Sequence, residues 1–452
     1  MTVLMHAATA SAQHLIADGS LLAPAALLYY AAVAGLLVCY AAVMRCVDEA
    51  PSRRTWLLIV AVPLVVQIGW VLTRPVLAID AYSYLVDAAH AHAGLNPYQH
   101  AVKEAAGTDF GRALAAYGWR PVHGITPYGP VWINVVSGVG PFTSNVDVAV
   151  RLVKVIAFAA AALTAWLIFL TAPEFFRVRA LAMFWWNPVV IIEGAGEGHN
   201  DALMVLAVVL SLWCLRRHAI VTAAAALTAA VLTKWIPAFF APAYLVYAWR
   251  NGLLTRRAVL AGGAAIAAVA IVAYWPLWVG ADTFAGIRTV GGPRFIASTT
   301  GSFVRVLGEY PTIYLVLRAA VTIALGVAVI YAAAITRTMS DVIRACAALA
   351  LVYVLLSAPM YWAWYVLLPI ALLALTNDMA LVIVLTATSR IVAPLDLIRL
   401  RDGFSWTTEV WLTTVIALWL PLAYVVWRMA SAIMVDGTIH SRPQTERRAQ
   451  AV

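Results

Sequence analysis

Charged residues are scarce in this 452-residue chain, at 11% of the sequence. Soluble domains carry about 25%, so the composition excludes a protein with a large water-exposed surface. Hydrophobic residues make up 64% of the chain, and its mean hydropathy is +0.88. The net charge is +9, and the charged residues lie between apolar runs. There they indicate the orientation of the protein in the membrane and contact with lipid headgroups rather than binding of nucleic acid. We therefore expect an integral membrane protein with no nucleic-acid partner.

Closely spaced cysteine pairs and the sequence pattern of a signal peptide are also lacking. The four cysteines are scattered and none forms a CxxC pair, which supports neither a disulfide framework nor a zinc site. The first twenty residues contain no basic region and no clear cleavage motif. We therefore interpret residues 21–44 as a first membrane span rather than a signal peptide.

Apolar runs of about 20 residues recur along the whole chain and predict membrane-spanning helices rather than the short alternating strands of a barrel. The expected fold class is an all-α polytopic membrane protein with about 11–13 transmembrane helices. We expect a single domain over residues 1–434 and a disordered cytoplasmic tail over 435–452. The predicted spans are 21–44, 55–77, 149–171, 181–193, 201–215, 219–233, 236–249, 258–279, 312–336, 345–358, 362–376, 379–393 and 409–430.

Basic residues in short loops predict the orientation in the membrane. Arg45, Arg53 and Arg54 assign the first loop to the cytoplasm, so the long 78–130 loop is predicted to lie outside. We expect residues 131–147, which are interrupted by glycine and proline, to dip into the membrane and return. Every polar cluster discussed below then lies on the outer face. A full crossing by 131–147 would invert everything that follows it.

The longest polar interruption runs from Ile79 to Trp132 and begins with Asp80, directly after an apolar run. A carboxylate at a partly dry surface can act as a general base. It can equally cap the helix that follows it. Tyr82 and Tyr84 are candidates for contact with a sugar, or for aromatic residues of the membrane interface.

A second polar cluster lies between two apolar runs, in WWNPVVIIEGAGEGHNDALMVL (185–206). Its carboxylates and imidazole can bind sugar hydroxyls, a phosphate through the histidine, or a divalent ion. The alternative is a polar turn that caps the next helix. The glycine spacing is GxGxG after a membrane helix, which excludes a dinucleotide fingerprint. The candidate residues are Glu193, Glu197, His199, Asn200 and Asp201.

Three further features carry candidates. Lys234 is interpreted as the only lysine deep in an apolar segment, where an ionisable group indicates function unless it reaches the interface. Arg288 and Arg294 lie in a glycine-containing loop that can close over phosphate or serve as a simple connector. Tyr361 and Trp362 are aromatic residues of an outer interface or a stacking surface for the acceptor.

Several segments together resemble the GT-C membrane glycosyltransferases, in particular the polyprenol-phosphomannose-dependent α-mannosyltransferases of actinobacteria. They are DAYSYLVDAAHAHAGLNPYQH with ITPYGPVW, WNPVVIIEGAGEGHNDALMVL, and LTKWIPAFFAPAYL. The resemblance implies a GT-C fold with a long catalytic first outer loop and Asp80 as the base. It also implies a lipid-monophosphate sugar donor in the bilayer and a glycan or glycolipid acceptor outside. Related enzymes use arabinofuranose, glucose or other lipid-linked sugars, so the donor sugar and the linkage stay open.

The resulting hypothesis is an inverting transfer of mannose from a β-linked polyprenyl-phosphate donor at the outer face of the cell membrane, in cell-envelope polysaccharide or lipoglycan synthesis. The candidate phosphate ligands are Lys234, Arg294, Arg288 and His199. No cofactor is expected, and the sequence does not exclude a requirement for a divalent metal ion. A secondary transporter or lipid flippase is the alternative, because broken helices and buried charge suit it too. The candidate sugar and acceptor ligands are Tyr82, Tyr84, Asn96, Tyr128, Glu193, Glu197, Asn200, Asp201, Tyr361 and Trp362.

Overall fold

The residues that the structure describes form helices and the loops that connect them, and they contain no β-strand. The computed structural model describes residues 1–17, 22–121, 124–139, 145–290, 297–308, 310–402 and 407–441. Three π-helical segments interrupt the α-helices, at Val190–Gly196, Tyr353–Ser357 and Val415–Trp419. The α-helices of these residues are α1 Thr2–Ala17, α2 Leu22–Cys46, α3 Arg53–Leu72, α4 Asp80–His92, α5 Asp109–Ala116, α6 Pro130–Ser137, α7 Val146–Thr171, α8 Arg177–Trp185, α9 Asp201–Arg216, α10 Ile220–Thr233, α11 Ala241–Arg250, α12 Arg256–Tyr274, α13 Ala285–Val290, α14 Thr299–Leu307, α15 Pro311–Ile335, α16 Met339–Val352, α17 Leu367–Leu375, α18 Met379–Asp402, α19 Thr408–Thr414 and α20 Leu420–Ser441.

Seven helices in the described part of the chain are long and apolar enough to cross a membrane, which confirms an all-α polytopic membrane protein. An eighth candidate is a pair of helices bent by 53°, Glu174–Trp185 with Val190–Gly196. Seven or eight crossing helices among the described residues are fewer than the expected 11–13, because three further predicted spans correspond to apolar helices shorter than an ordinary crossing. The seven are Pro24–Cys46, Arg53–Leu72, Val146–Thr171, Arg256–Tyr274, Pro311–Ile335, Met339–Ser357 and Thr408–Ser431, and the shorter ones are Ile220–Thr233, Ala363–Leu375 and Met379–Leu395.

The outermost helices expose apolar side chains. In α15 no residue of the apolar window is buried inside the protein, and in α12 only 11% of that window is buried. Leu315, Ile323 and Ile330 are all more than half exposed. Hydrocarbon solvates such side chains as well as a protein interior does, so α12 and α15 have the surface of helices that face lipid. The main core lies elsewhere, around α17, in which every residue is buried.

The helix α6 bears on the predicted re-entrant segment. Its eight residues rise about 12 Å, well short of the roughly 30 Å of a bilayer's hydrocarbon core. Residues 140 and 141, a glycine and a proline of the predicted interruption, lie outside the described residues. The length of α6 therefore favours a segment that enters and returns.

Both ends of the chain differ from the sequence-based expectation. The helix α1 has no counterpart among the predicted spans, and it packs through Ala12 onto Tyr29 and Val33 of α2. Its alanine-rich sequence has high intrinsic helix propensity. At the other end, α20 continues to Ser441, so residues 435–441 of the predicted tail are helical. The remainder of that tail lies outside the described residues.

Candidate active site

Asp80 is the first residue of α4 and lies in the interior, with 7% of its surface exposed. The backbone carbonyl of Ile79 accepts hydrogen bonds from the N–H groups of Tyr82 and Ser83, at 3.1 Å each, and closes the first turn. A carboxylate in this turn interacts favourably with the positive end of the helix dipole. The N-cap residue of α4 is Ile79, and no side-chain hydrogen bond caps this helix, so the capping role considered for Asp80 is wrong.

His199 connects Asp80 to Glu193. Its Nδ1 atom lies 3.4 Å from Oδ2 of Asp80, and its Nε2 atom lies 3.1 Å from Oε2 of Glu193. The imidazole ring stacks on Trp364, with ring centroids 3.9 Å apart and an interplanar angle of 18°. Burial lowers the pKa of His199, but the two carboxylates outweigh burial and raise it to about 9. His199 is therefore an imidazolium ion between two carboxylates at neutral pH.

The raised pKa of His199 predicts a pH dependence of stability. Such a group stabilises the fold fully below its unfolded pKa of 6.5 and loses this contribution as the pH rises through the folded value of about 9. We expect the apparent Tm to fall between about pH 7 and about pH 10 by more than it does for His199→Gln, whose side chain does not titrate. Thermal unfolding of both proteins across this range is the measurement. Equal slopes for the two proteins would contradict a charged His199.

Arg390 forms an ion pair with Glu193 and was not predicted as a site residue. Its side chain is fully buried, and its Nη2 atom forms an ion pair with Oε1 of Glu193 and a 3.2 Å hydrogen bond to Oγ of Ser389. The sequence contained a signal for it, since Arg390 is the only charged residue of the predicted span 379–393. A charge within a membrane segment is costly and indicates a specific partner.

Glu197 anchors the linker that precedes Asp80. Its Oε2 atom accepts hydrogen bonds from the backbone N–H groups of Val76, Leu77 and Ala78, at 3.1, 3.2 and 3.2 Å. The side chain is buried and was predicted to bind sugar or an acceptor. Three backbone donors on one oxygen atom make Glu197 a residue that positions the chain leading into α4, and its contact with sugar or acceptor stays a prediction.

Lys154 secures the other end of the same linker. Its Nζ atom donates a 2.7 Å hydrogen bond to the carbonyl of Trp70 and a second one to the carbonyl of Thr73. Lys154 is fully buried within α7. The interpretation of Lys234 as the only lysine deep in an apolar segment is therefore wrong. Lys154 binds carbonyls at the C-terminal end of α3, where a positive charge is favourable.

Glycines shape the turn that carries Glu197 and His199. The segment Val190–Gly196 is a π-helix, a conformation often found at functional sites. A Cβ atom on Gly196 would lie 2.9 Å from the indole ring of Trp70. Gly198 has a φ angle of +76°, which other residues rarely adopt. This turn therefore requires glycine for close packing at one position and for backbone conformation at the other.

Aromatic residues of α4 and of the PYGP segment meet the second cluster. The hydroxyl of Tyr84 donates a 3.3 Å hydrogen bond to Oδ1 of Asn200. The ring of Tyr84 packs edge-on against Tyr128 and Trp132, with both centroid distances 4.9 Å. Tyr82 is also buried and donates a 3.1 Å hydrogen bond to the carbonyl of Pro75. The structure thus brings Tyr84, Tyr128 and Asn200 together.

Lys234 and Asp201 form a pair at the edge of this group. The Nζ atom of Lys234 lies 2.9 and 2.8 Å from the two carboxylate oxygens of Asp201. It also lies 4.6 Å above the ring centroid of Tyr365. The Lys234 side chain is 13% exposed, whereas that of Asp201 is 2% exposed. Lys234 follows directly after α10, where the backbone leaves the helix.

The remaining predicted residues lie in different surroundings. Asn96 donates a 3.0 Å hydrogen bond to the carbonyl of Leu277. Arg288 is exposed on α13 and binds carbonyls of its own segment. Trp362 stacks on Trp364 at 5.0 Å, which links it through Trp364 to His199. Tyr361 is fully buried, and its backbone N–H donates to the carbonyl of Ala297. Arg294 lies outside the described residues.

The part of the chain that the structure describes contains no preformed metal-binding site. No group of three or more His, Cys, Asp or Glu side chains there could hold an ion. The acidic residues of the second cluster have protein partners instead. Glu193 faces Arg390 and His199, and Glu197 binds the linker backbone.

Comparison with known proteins agrees with the resemblance to actinobacterial mannosyltransferases of the GT-C type. The MptA_B family, described as alpha-(1->6)-mannopyranosyltransferase, N-terminal domain, matches residues 3–251. Alpha-(1->6)-mannopyranosyltransferase A of Corynebacterium glutamicum is 32% identical over 182 residues, which cover 38% of this chain and 35% of that protein. The family match includes Asp80, His199 and Lys234 but ends before Arg390. Because the match extends over more than half of the sequence, the chain belongs to the MptA_B family.

Proposed function

We propose that this protein is an inverting glycosyltransferase that moves a mannosyl residue from a polyprenyl-phosphate donor to a glycan or glycolipid acceptor at the outer face of the cell membrane. Family membership and the name of the similar corynebacterial protein support mannosyl transfer. The observation that carries the proposal is the Asp80 carboxylate, held beside an imidazolium ion shortly after the end of the membrane-spanning helix α3. The reaction would serve cell-envelope polysaccharide or lipoglycan synthesis.

The proposed chemistry is a single displacement. The acceptor hydroxyl oxygen forms a bond to the anomeric carbon while the bond from that carbon to the phosphate oxygen breaks. The electron pair of the broken bond leaves with the polyprenyl phosphate, and the hydroxyl proton passes to Asp80. Base and leaving group lie on opposite faces of the sugar, as in inverting glycosidases. A β-linked donor thereby gives an α-linked product.

His199 is better suited to position Asp80 than to bind phosphate. Both of its ring nitrogens already face carboxylates, and Trp364 covers one face of the ring. An adjacent positive charge keeps Asp80 ionised between turnovers, which is the form that accepts a proton. Glu193, which is itself paired with Arg390, contacts Nε2 of the imidazolium and so holds the ring whose Nδ1 atom faces Asp80.

Lys234 is the candidate for stabilising the departing phosphate, together with Arg288 and Arg294. Its ammonium group is paired with a single carboxylate, and its side chain keeps some exposure. A cation at the leaving oxygen is most effective where water is excluded. Asn200 is a candidate for a sugar hydroxyl, because its buried Nδ2 atom has no hydrogen-bond partner among the described residues.

Purified full-length protein tests the proposal when it is supplied with synthetic β-linked polyprenyl-phosphomannose and short mannoside acceptors. We expect acceptor-dependent release of polyprenyl phosphate, with one mannose added to the acceptor for each phosphate released. Donors that carry arabinofuranose or glucose are run in parallel to identify the sugar. A transporter or flippase would give no acceptor-dependent release. Absence of release with every lipid-linked sugar would contradict the proposal.

A further inference from the structure

A cavity lies at the far ends of helices that contribute to the candidate active site. It has a volume of about 600 Å³ and is lined in part by Arg216, the last residue of α9. The first residue of α9 is Asp201, which pairs with Lys234 at the site. The 16 residues of α9 separate the two ends by about 24 Å. This cavity is therefore distinct from the candidate active site.

The cavity combines apolar walls with positive charge. Phe176, Ile343 and Leu375 are buried residues of its lining. The two charged residues that line it, Arg216 and Arg344, are both arginines. Basic residues at this end of the helices agree with the predicted cytoplasmic orientation. The general enrichment of basic residues on the cytoplasmic side does not by itself explain why two guanidinium groups share one cavity with an apolar wall.

Among the described residues, nearby carboxylates compensate this positive charge only in part. Asp341 lies 4.0 Å from Arg344, and its Oδ2 atom accepts hydrogen bonds from the backbone N–H groups of Arg337 and Thr338. The carboxylate of Glu174 pairs with Arg177 at 3.4 Å. Neither acid lines the cavity. An anionic ligand would therefore meet two cations without displacing a buried partner.

Aromatic and basic residues at this end of the protein have the pattern expected at the level of lipid headgroups. Phe175 lines the cavity and is 76% exposed. Beside it, the guanidinium groups of neighbouring arginines cover aromatic rings: Arg177 over Phe169 at 5.0 Å and Arg217 over Trp213 at 4.7 Å. Exposed aromatic residues next to basic ones are typical of the membrane–water interface.

We propose that this cavity binds the phosphate headgroup of an anionic phospholipid, with Arg216 and Arg344 on the phosphate and an acyl chain along the apolar wall. Guanidinium groups match phosphate oxygens in geometry and charge, and basic pockets between membrane helices suit anionic headgroups. The lining comes from the ends of α9, α16 and α17 and from the start of the bent span, so a bound lipid would hold these helices together. The proposal does not depend on the transfer reaction.

Native mass spectrometry and thermal unfolding of the full-length protein test this site. The probes are phosphatidylglycerol, phosphatidylcholine with the same acyl chains, and inorganic phosphate. We expect one tightly retained phosphatidylglycerol and a rise in Tm that grows with its concentration, with much weaker retention of phosphatidylcholine. Equal retention of both lipids, or the same rise in Tm with inorganic phosphate alone, would overturn the assignment to a lipid.

The variant Arg344→Gln gives the sharper comparison. Arg216 also donates to the carbonyl of Thr171, so its loss could affect folding, whereas the Arg344 side chain is 67% exposed. We expect Arg344→Gln to weaken phosphatidylglycerol binding about tenfold, by removal of a charge-assisted hydrogen bond. The control is Arg256→Gln, an exposed arginine at the start of α12 outside the cavity. Equal affinity in these two variants would contradict the site.

Discussion

Replacement of Asp80 by asparagine is expected to abolish sugar transfer while the protein stays folded and retains its lipid-linked donor. Asparagine has the shape of aspartate, but its amide cannot take the proton of the attacking hydroxyl. General base catalysis contributes about 10²- to 10⁴-fold, and the loss should appear in kcat rather than in donor binding. Loss of one carboxylate should also lower the pKa of His199, since Asp80 contributes to its elevation.

The matched control is Asp87→Asn on the same helix. Asp87 is fully buried, seven residues after Asp80, and burial raises its pKa to about 8 despite the opposing influence of Thr126. Its side chain is therefore largely neutral at pH 7, and asparagine changes its charge little. We expect Asp87→Asn to transfer sugar within a few-fold of the wild-type rate. Turnover retained by Asp80→Asn would remove Asp80 as the base, and equal losses in both variants would assign the effect to the helix.

The polar clusters on which the site depends could be predicted because charge is rare in this sequence. Each cluster interrupts an apolar run, and hydrocarbon tolerates few polar groups, so their positions indicated the ends of membrane segments. Asp80 and His199 were both predicted as site residues, and they lie at ion-pair distance. Their roles could not be assigned from residue type alone. The predicted phosphate ligand His199 faces two carboxylates, and Lys234 faces Asp201.

Contacts made through the backbone or across long separations were not accessible from the sequence. The hydrogen bonds that Glu197 accepts from residues 76–78 come from backbone N–H groups, which every residue except proline carries, so no side-chain pattern predicts them. Arg390 pairs with Glu193 across 197 residues of sequence. Its charge within an apolar span marked it as unusual, but no sequence pattern indicated that its partner lies in the segment Val190–Gly196. Trp364 was similarly one aromatic residue among many.

Removal of Arg390 should produce the largest loss of stability in the site. Arg390→Met preserves most of the side-chain volume but leaves the buried Glu193 carboxylate without its guanidinium partner. Removal of one partner from a buried pair costs about 3–5 kcal/mol, which exceeds the effect of most point mutations. We expect a large fall in the apparent Tm of the purified protein. The exposed pair of Arg428 and Asp378, at 2.7 Å, provides the control, since Arg428→Met should cost less than about 1 kcal/mol.

The double variant Arg390→Met/Glu193→Gln separates stability from catalysis. Removal of both charges eliminates the unpaired anion, so the double variant should recover a substantial part of the stability lost in Arg390→Met. It also removes one of the two carboxylates that raise the pKa of His199, and the orientation of the imidazole beside Asp80 then loses its support. Sugar transfer should therefore stay low in a protein that folds again. Full recovery of transfer along with stability would mean that Glu193 and Arg390 only hold the helices together and do not position Asp80 through His199.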